Sequence, residues 1–431
     1  MSSPTAAYAP RRTAPPVRPG LRRLRPRARV LSPGEAHERR VRRRVTLAWG
    51  LLFLNVLTFY KGTWNQLPLI IPIPSVVGKI MTQGALPAAL LAAMSVNRRM
   101  LIRPNVFLGL LTLLFAEAFI SGMHPVGHIV GTLYRTTRLG GFVATLWLLS
   151  PWWGRRDMLL VRCHLKALGV VLGTVVLGFL VAPGRAMAQG RLSGEFWPIT
   201  PVQVADFAAV AFGLVVVLWF CGEAQRRFTV TALVVTGAML VLTHTRTELI
   251  AMMAGILVAG LRVFMVQARV RRLFAITAIT ISLVVIVFSS VLTTWLARGQ
   301  STSQLTKLTG RTNVWGAVVN APRDEFQVIF GYGLSNKAYT GLPIDSNWLA
   351  AYFDLGLIGV AICAALLLFV LVSAYFQPPT PQRALALFLA TYLLVTSLTE
   401  TGLSDASVYL LELALAASLL LPPLAERRRL E

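Results

Sequence analysis

From residue 45 to residue 421 the chain is a near-continuous series of apolar segments separated by polar joints, almost all of them short. A helix needs about 20 apolar residues to cross the hydrocarbon core of a bilayer. On that rule the pattern predicts twelve spans, near 45–60, 75–96, 105–122, 127–150, 157–182, 200–221, 228–244, 247–266, 272–295, 346–375, 382–399 and 405–422. The second is interrupted by Lys79 and Pro87. The fold class this predicts is an all-α polytopic integral membrane protein. One joint breaks the rule: residues 296–345 form a long polar loop, with Arg311 and Trp315 at the start of a helical stretch and Gly331 and Gly333 flanking Tyr332. A long loop in a compact protein usually has a function.

Loop charge orients the spans. With the N-terminus inside, Arg98, Arg99, Arg103, Arg155, Arg156, Arg226, Arg227, Arg269, Arg271, Arg272 and Arg383 all fall on the inner side, as do Arg427, Arg428 and Arg429 of a basic tail over 423–431. Both termini are then inside. The 296–345 loop is outside, with a second outer loop at 183–199 and short outer turns near His124, residues 243–247 and residues 400–405. This gives a transmembrane domain over 45–422.

Composition agrees. Of 431 residues, 55% are hydrophobic and 14% charged, against about 25% charged in soluble domains. The net charge is +25, and residues 1–44 alone hold thirteen arginines against Glu35 and Glu38. That Pro-, Ala- and Arg-rich stretch is expected to be a disordered cytoplasmic tail, too long in its basic part to be a cleavable signal. It either sets topology or adds attraction to anionic lipids. Nucleic acid is the less favoured partner and is not expected, because no aromatic residues interleave with the arginines. Cys163, Cys221 and Cys363 have no metal-ligand spacing and read as small apolar residues. No Walker or Rossmann glycine pattern appears, so no cofactor is expected. An enzyme of this build must take an already activated, membrane-borne substrate.

Several charges fall where a bilayer disfavours them. Arg135 and Arg138 share one face of the fourth span, Asp206 lies in the first two turns of the sixth, Arg246 opens the eighth and Glu400 ends the eleventh. Such groups face a polar cavity or pair with one another, for example Arg138 with Asp206; Lys79 snorkels. Arg185, Arg191, Arg246, Arg298 and Arg311 gather at the outer boundary. Guanidinium forks suit diphosphate oxygens, and equally suit anionic headgroups without turnover. Residues 311–321 carry Val314, Trp315, Val318 and Val319 at helical spacing before Pro322. They predict a short amphipathic helix on the membrane or over a cavity, or a plain packing helix. Gly331 and Gly333 permit a tight turn or close substrate approach. The acid/base candidates are Asp345 and His244, with His124 and His128 at another outer turn. No Ser/His/Asp set and no metal-binding cluster is visible.

Four stretches together resemble the O-antigen ligase/polymerase superfamily of polytopic glycosyltransferases. Gly190-Arg191-Leu192-Ser193-Gly194 is similar to its outer GRxxG segment. Thr245-Arg246-Thr247-Glu248-Leu249, followed by Met253-Ala254-Gly255, is similar to a span start of the form SRTxxL…G. Gly310-Arg311 with Trp315, then Phe330-Gly331-Tyr332-Gly333, resembles the family's long loop. Asp345-Ser346-Asn347-Trp348-Leu349, then Gly356-Leu357-Ile358-Gly359, resembles the end of that loop. The likeness covers about residues 100–420.

The resemblance implies about twelve helices, a long outer loop, and transfer of a glycan from a polyprenyl diphosphate carrier on the outer face of a bacterial cytoplasmic membrane. The acceptor would be a glycan or glycolipid hydroxyl, attacking with inversion and without metal. Arg246, Arg311 and Asp345 would be catalytic, the arginines stabilising the leaving diphosphate and Asp345 orienting or deprotonating the acceptor. Arg191, Arg135, Arg138, His244, Trp315, Tyr332, Asn347 and Glu400 would bind substrate. Ligases commonly carry a His where this chain has Ser346, which tilts the expectation toward a polymerase or a ligase with another acceptor. A transporter of a lipid-linked or anionic solute is the alternative, and a non-catalytic scaffold of envelope assembly is a third.

Overall fold

A computed structural model describes residues 32–57, 59, 68–123, 129–187, 190–264, 268, 270–272, 275–276, 311–335 and 337–422. The expected span at 272–295, the loop residues 296–310 with Arg298 and Gly310, His124, His128 and the tail 423–431 lie outside them, apart from residues 272, 275 and 276 at the start of that span.

The described residues are helical almost throughout. The long helices are α1 (Pro33–Val56), α2 (Ser75–Val96), α3 (Val106–Gly122), α4 (Ile129–Leu149), α5 (Leu159–Val181), α6 (Pro201–Phe220), α7 (Arg226–Thr243) and α8 (Arg246–Phe264). The polar segment contributes α9 (Arg311–Val319), α10 (Glu325–Phe330) and a two-residue hairpin, β1 (Ala338–Tyr339) with β2 (Leu342–Pro343). Then follow α11 (Asn347–Phe376), α12 (Pro381–Thr396) and α13 (Val408–Leu420). Five of these, α2, α5, α6, α7 and α11, are long and apolar enough to cross a membrane, and α3 and α13 are shorter apolar helices.

Local chemistry sets the starts. Thr200 and Gln203 form a capping box ahead of Pro201, and Asn105, Thr380 and Ser407 each accept a backbone N–H two or three residues on. The beginning of α1 corrects an expectation. Residues 33–44, assigned by composition to a disordered tail, are helical. Ser32 and Glu35 satisfy each other's backbone N–H groups (3.2 and 2.9 Å), Pro33 takes the first position, and arginine is a good helix former.

Within Val41–Glu431 the centre is built from α6, α8, α12 and α13. Helix α12 packs most extensively on α8, and also on α13, α11 and α6. Nearly every residue of α13 is buried, as expected for a helix apolar on all sides. The Phe388 ring fills the space that two glycines leave open. A Cβ on Gly213 would lie 1.9 Å from it, and one on Gly255 2.9 Å. Outer helices instead expose Ile80, Leu91, Val234 and Phe376, each more than 60% accessible. Apolar area on this scale is stable against lipid and costly against water.

The joints group at two ends. One gathers several arginines: Arg103 donates to the carbonyls of Trp153 (2.9 Å) and Pro422, Arg44 to Ser95 (3.2 Å), and Arg42 pairs with Asp157 (2.9 Å). The other gathers residues 190–200, 243–246, 311–346 and 397–407, tied by bonds such as Leu192 N to Leu242 O and Asn347 N to Ser397 O (both 3.0 Å).

Helix α11 is broken at Gly356, whose φ is +63°. The break frees carbonyls that an intact helix would use. Tyr332 N donates to Phe353 O (3.0 Å), while Gly333 N and Ser121 Oγ donate to Asp354 O (both 2.9 Å). Gly331, at φ +78°, crosses the same spot. A Cβ there would lie 2.4 Å from the Asp354 backbone, and one on Gly356 would lie 2.3 Å from Ile329 O. The two glycines thus serve a backbone crossing. Gly356→Ala and Gly331→Ala should each lower stability by about 1–3 kcal/mol, while Gly109→Ala, at an open helical position, should be neutral or slightly stabilising. Thermal unfolding in lipid nanodiscs reads the difference.

Candidate functional site

At the end opposite the arginine-rich joints lies a cavity of about 900 Å³. Helices α1, α2, α4, α6, α12 and α13 wall it, with Arg311, Lys337, Pro343 and Asp345 of the polar segment and Glu400, Thr401 and Ser407 of the 397–407 joint. Its charged lining is Lys79, Arg135, Arg138, Arg311 and Lys337 against Asp206, Asp345 and Glu400. Five cations against three acids leave an electropositive chamber.

Each side chain is held. Arg138 on α4 donates from Nη2 to Asn55 O (3.0 Å) and from Nε to Asn55 Oδ1 (3.4 Å). Arg135, one turn earlier, pairs with Asp405 (3.4 Å). Arg311 at the start of α9 donates from Nε to Asp345 Oδ2 (3.1 Å). Helix α9 is fixed by a small separate core of Val318, Ile344 and Ala350, on which Val314 also packs. Lys337 Nζ donates to Ser404 Oγ (2.8 Å) and lies 3.5 Å from Asp354 Oδ2, and Ser335 Oγ donates to Asp354 Oδ1 (2.7 Å). Asp206 accepts from the Tyr392 hydroxyl (2.7 Å), so the suggested Arg138–Asp206 pair is not made.

Of the residues singled out by sequence, the structure brings Arg311, Asp345, Arg135, Arg138 and Glu400 to one cavity. Six others are not among its lining residues. Arg246 opens α8, half-buried. Arg191 lies beside it and donates to Thr243 O (2.9 Å) and Thr245 Oγ1 (3.1 Å), closing the 183–199 loop onto the α7–α8 turn. His244 makes that turn in a left-handed conformation, φ 51°. Asn347 is buried and accepts from Leu403 N (2.6 Å), tying α11 to the 397–407 joint. Tyr332 packs on Phe353 and donates to Pro322 O (2.9 Å), under the Arg323 guanidinium. Trp315 is half-buried on α9. Lys337 and Asp354 carry the cavity's wall and were not legible. Lys337 sits in a polar stretch like any surface lysine, and Asp354 lies one turn inside an apolar run, a position that could have flagged it.

Glu400 is the electrostatic centre. Burial pushes its carboxyl up from 4.5 to about 8, Arg311 and Arg191 oppose this, and Asp206 and Asp345 add to it. Arg191 is pulled down by burial, with Glu400 opposing. Among the described residues no group of His, Cys, Asp and Glu could hold a metal ion.

No protein-family model matches this chain, and no curated protein matches it.

Glu400 makes the cavity pH-sensitive. Its raised value means that its contribution to stability is fully present below about pH 4.5 and is lost as pH rises through about 8. Above about 8 it is also one more negative charge facing any bound anion. Wild type should therefore lose unfolding temperature as pH rises from about 4.5 to about 8, and anion affinity as pH passes about 8, and Glu400→Gln should flatten both profiles. Thermal unfolding and binding of inorganic pyrophosphate across that range check it.

Proposed function

We propose that the chain is a polysaccharide polymerase or ligase that transfers a glycan from a polyprenyl diphosphate carrier to an acceptor sugar hydroxyl. The observation that carries this reading is the cavity, where Arg135, Arg138, Arg311 and Lys337 face one chamber at the end of an apolar helical protein. A lipid diphosphate would place its chain among the apolar helices and its phosphates among those cations. Guanidinium and ammonium groups fixed before reaction stabilise the charge that develops on the departing diphosphate. Asp345 keeps the Arg311 fork aimed. The order of the family-like motifs supports the same reading, as does the joining of Arg311 and Asp345 from two of them.

In the membrane arrangement this implies, twelve spans place both termini in the cytoplasm and the cavity on the outer face of a bacterial cytoplasmic membrane. Eleven of the expected spans fall on helices, and the arginine-rich joints group at the end away from the cavity. The substrates are the lipid-linked glycan and an acceptor glycan or glycolipid, with anionic lipids at the basic end. No cofactor and no metal is part of the reaction. The geometry shifts the weight of the arginine roles: Arg311 and Arg138 bind the diphosphate, and Arg246 acts from beside the chamber. Transport of a lipid-linked or anionic solute is the second reading, favoured by the ionisable groups buried among the central helices and by the broken α11.

Deletion of the gene, complemented with wild type or variants, tests the proposal. Single repeat units in place of long chains indicate a polymerase, and full-length polymer stranded on the carrier indicates a ligase. An unchanged lipid-linked and surface glycan profile in the deletion strain would sink the reading. Arg311→Ala and Arg138→Ala should each cut transfer by about 10²-fold or more, with Arg246→Ala less severe. Protein level and unfolding temperature serve as folding controls.

A further inference from the structure

The four central helices carry ionisable side chains into an apolar interior, among them Asp206 on α6, Glu248 on α8, Tyr392 on α12 and Glu412 on α13. Their hydrogen atoms can be counted. The Tyr392 hydroxyl lies 2.7 Å from Asp206 Oδ1 and 2.5 Å from Glu248 Oε2. A phenol has one proton to give and lone pairs with which to accept. It donates to one carboxyl, and the other must bring its own proton, so the pair holds one. Glu248 is fully buried, and its Oε1 meets no donor among the described residues. Asp206 is half-buried and lines the cavity. A charge is sustained more readily where water reaches it, so Glu248, fully buried, is the acid and Asp206, at the cavity, the carboxylate.

Deeper in the protein the count is equally definite. Among the described residues both Glu412 oxygens are buried without a hydrogen-bond donor, and His164 Nε2 on α5 lies 3.6 Å from Oε1. His164 Nδ1 accepts from Trp49 Nε1 (3.4 Å). An indole N–H only donates, so Nδ1 is bare, Nε2 carries the single proton and the ring is neutral. Glu412 therefore faces no cation and is itself a neutral acid. Of the other titratable or charged groups, Glu400 at the cavity acts on Glu248, and Tyr409 on α13 interacts with Asp206 and Glu412; Arg191, Arg311 and Asp345 act on Glu400, and Cys363 on Tyr409.

We propose that Asp206 takes the proton from a hydroxyl bound in the cavity, with Tyr392 and Glu248 as positioning residues that keep its carboxylate ionised and aimed. This rests on the glycan-transfer reading. The acceptor O–H bond breaks and its proton goes to Asp206. The acceptor oxygen bonds the anomeric carbon, and the carbon–oxygen bond to the diphosphate breaks with the electron pair leaving on the diphosphate. Asp206 then returns the proton to water or to the departing diphosphate through the cavity. Asp345 is already engaged by Arg311. Asp206 is backed by a hydroxyl that stabilises its charge before reaction and a neutral acid behind it that buffers the change.

Two measurements on the full chain in lipid nanodiscs test this. Infrared spectra near neutral pH should show protonated carboxyl absorption that weakens in Glu248→Gln and again in Glu412→Gln; no such absorption in wild type would overturn the proton count. With the carrier-linked glycan that accumulates in the deletion strain as donor, Asp206→Asn should lower kcat by about 10²–10⁴-fold with KM for the donor little changed. Tyr392→Phe should move the acid limb of the kcat profile to higher pH while the variant remains folded. Asp206→Asn turning over at the wild-type rate overturns the assignment of the base, whereas wild type itself failing to transfer overturns the function on which it rests.

Discussion

The polar end of this protein depends on a single backbone crossing. Helix α11 breaks at Gly356 inside apolar surroundings, where carbonyls without partners are expensive. They are taken by backbone N–H groups of Tyr332 and Gly333 and by the Ser121 hydroxyl. That exchange pins residues 331–335 against α11, which lets Ser335 and Lys337 reach the Asp354 carboxylate and Lys337 reach Ser404. The hairpin after Lys337 turns through Thr340 and Gly341, both at positive φ, the geometry its two-residue loop requires. The chain then arrives at Asp345 opposite Arg311. Without the crossing, the cavity would lose the wall that carries three of its charged groups.

A second close approach sets the chemistry of the opposite wall. Gly213 and Gly255 remove the side chains that would hold α12 away from α6 and α8, and Phe388 occupies the space. Tyr392 lies one turn further along the same face, stacked on Phe388 at 6.1 Å. Its hydroxyl can bridge carboxyls on two different helices because those helices come this near. Backbone proximity and proton sharing are in this way one feature of the sequence, written as two glycines and two aromatic rings.

Much of the fold was legible because apolar length is a one-dimensional signal. The helices at 75–96, 106–122 and 201–220 begin and end within a residue or so of the apolar runs. The start of α1 was missed because composition weighed the arginines and overlooked the Ser32–Glu35 cap. The site was only half legible, for a geometric reason. Periodicity tells how far along a helix a residue lies, while the direction it faces depends on which neighbours pack there. Arg135, Arg138, Arg311, Asp345 and Glu400 fell into the cavity; Arg191, Arg246 and Asn347 came to lie beside it, two of them holding joints together. Gly331 and Gly356 stood out as glycines, but no local pattern shows that residues 25 apart cross each other. Neither Glu412 nor Tyr392 was singled out: Glu412 is a lone acid in an apolar run, a position that could have flagged it, whereas Tyr392 looks like any core tyrosine.

The order in which the chain is made gives the Tyr392 bridge a further meaning. Asp206 and Glu248 are synthesised well before α12, so during insertion their helices carry carboxyls whose shared hydroxyl does not yet exist. Both α12 and α13 are largely enclosed, α13 nearly throughout. The arrival of α12 supplies the hydroxyl that joins the two carboxyls, and converts two liabilities of the nascent chain into its proton-sharing centre. A chain cut short before that point would present those acids to lipid, marking the unfinished protein by the same groups that the finished one encloses.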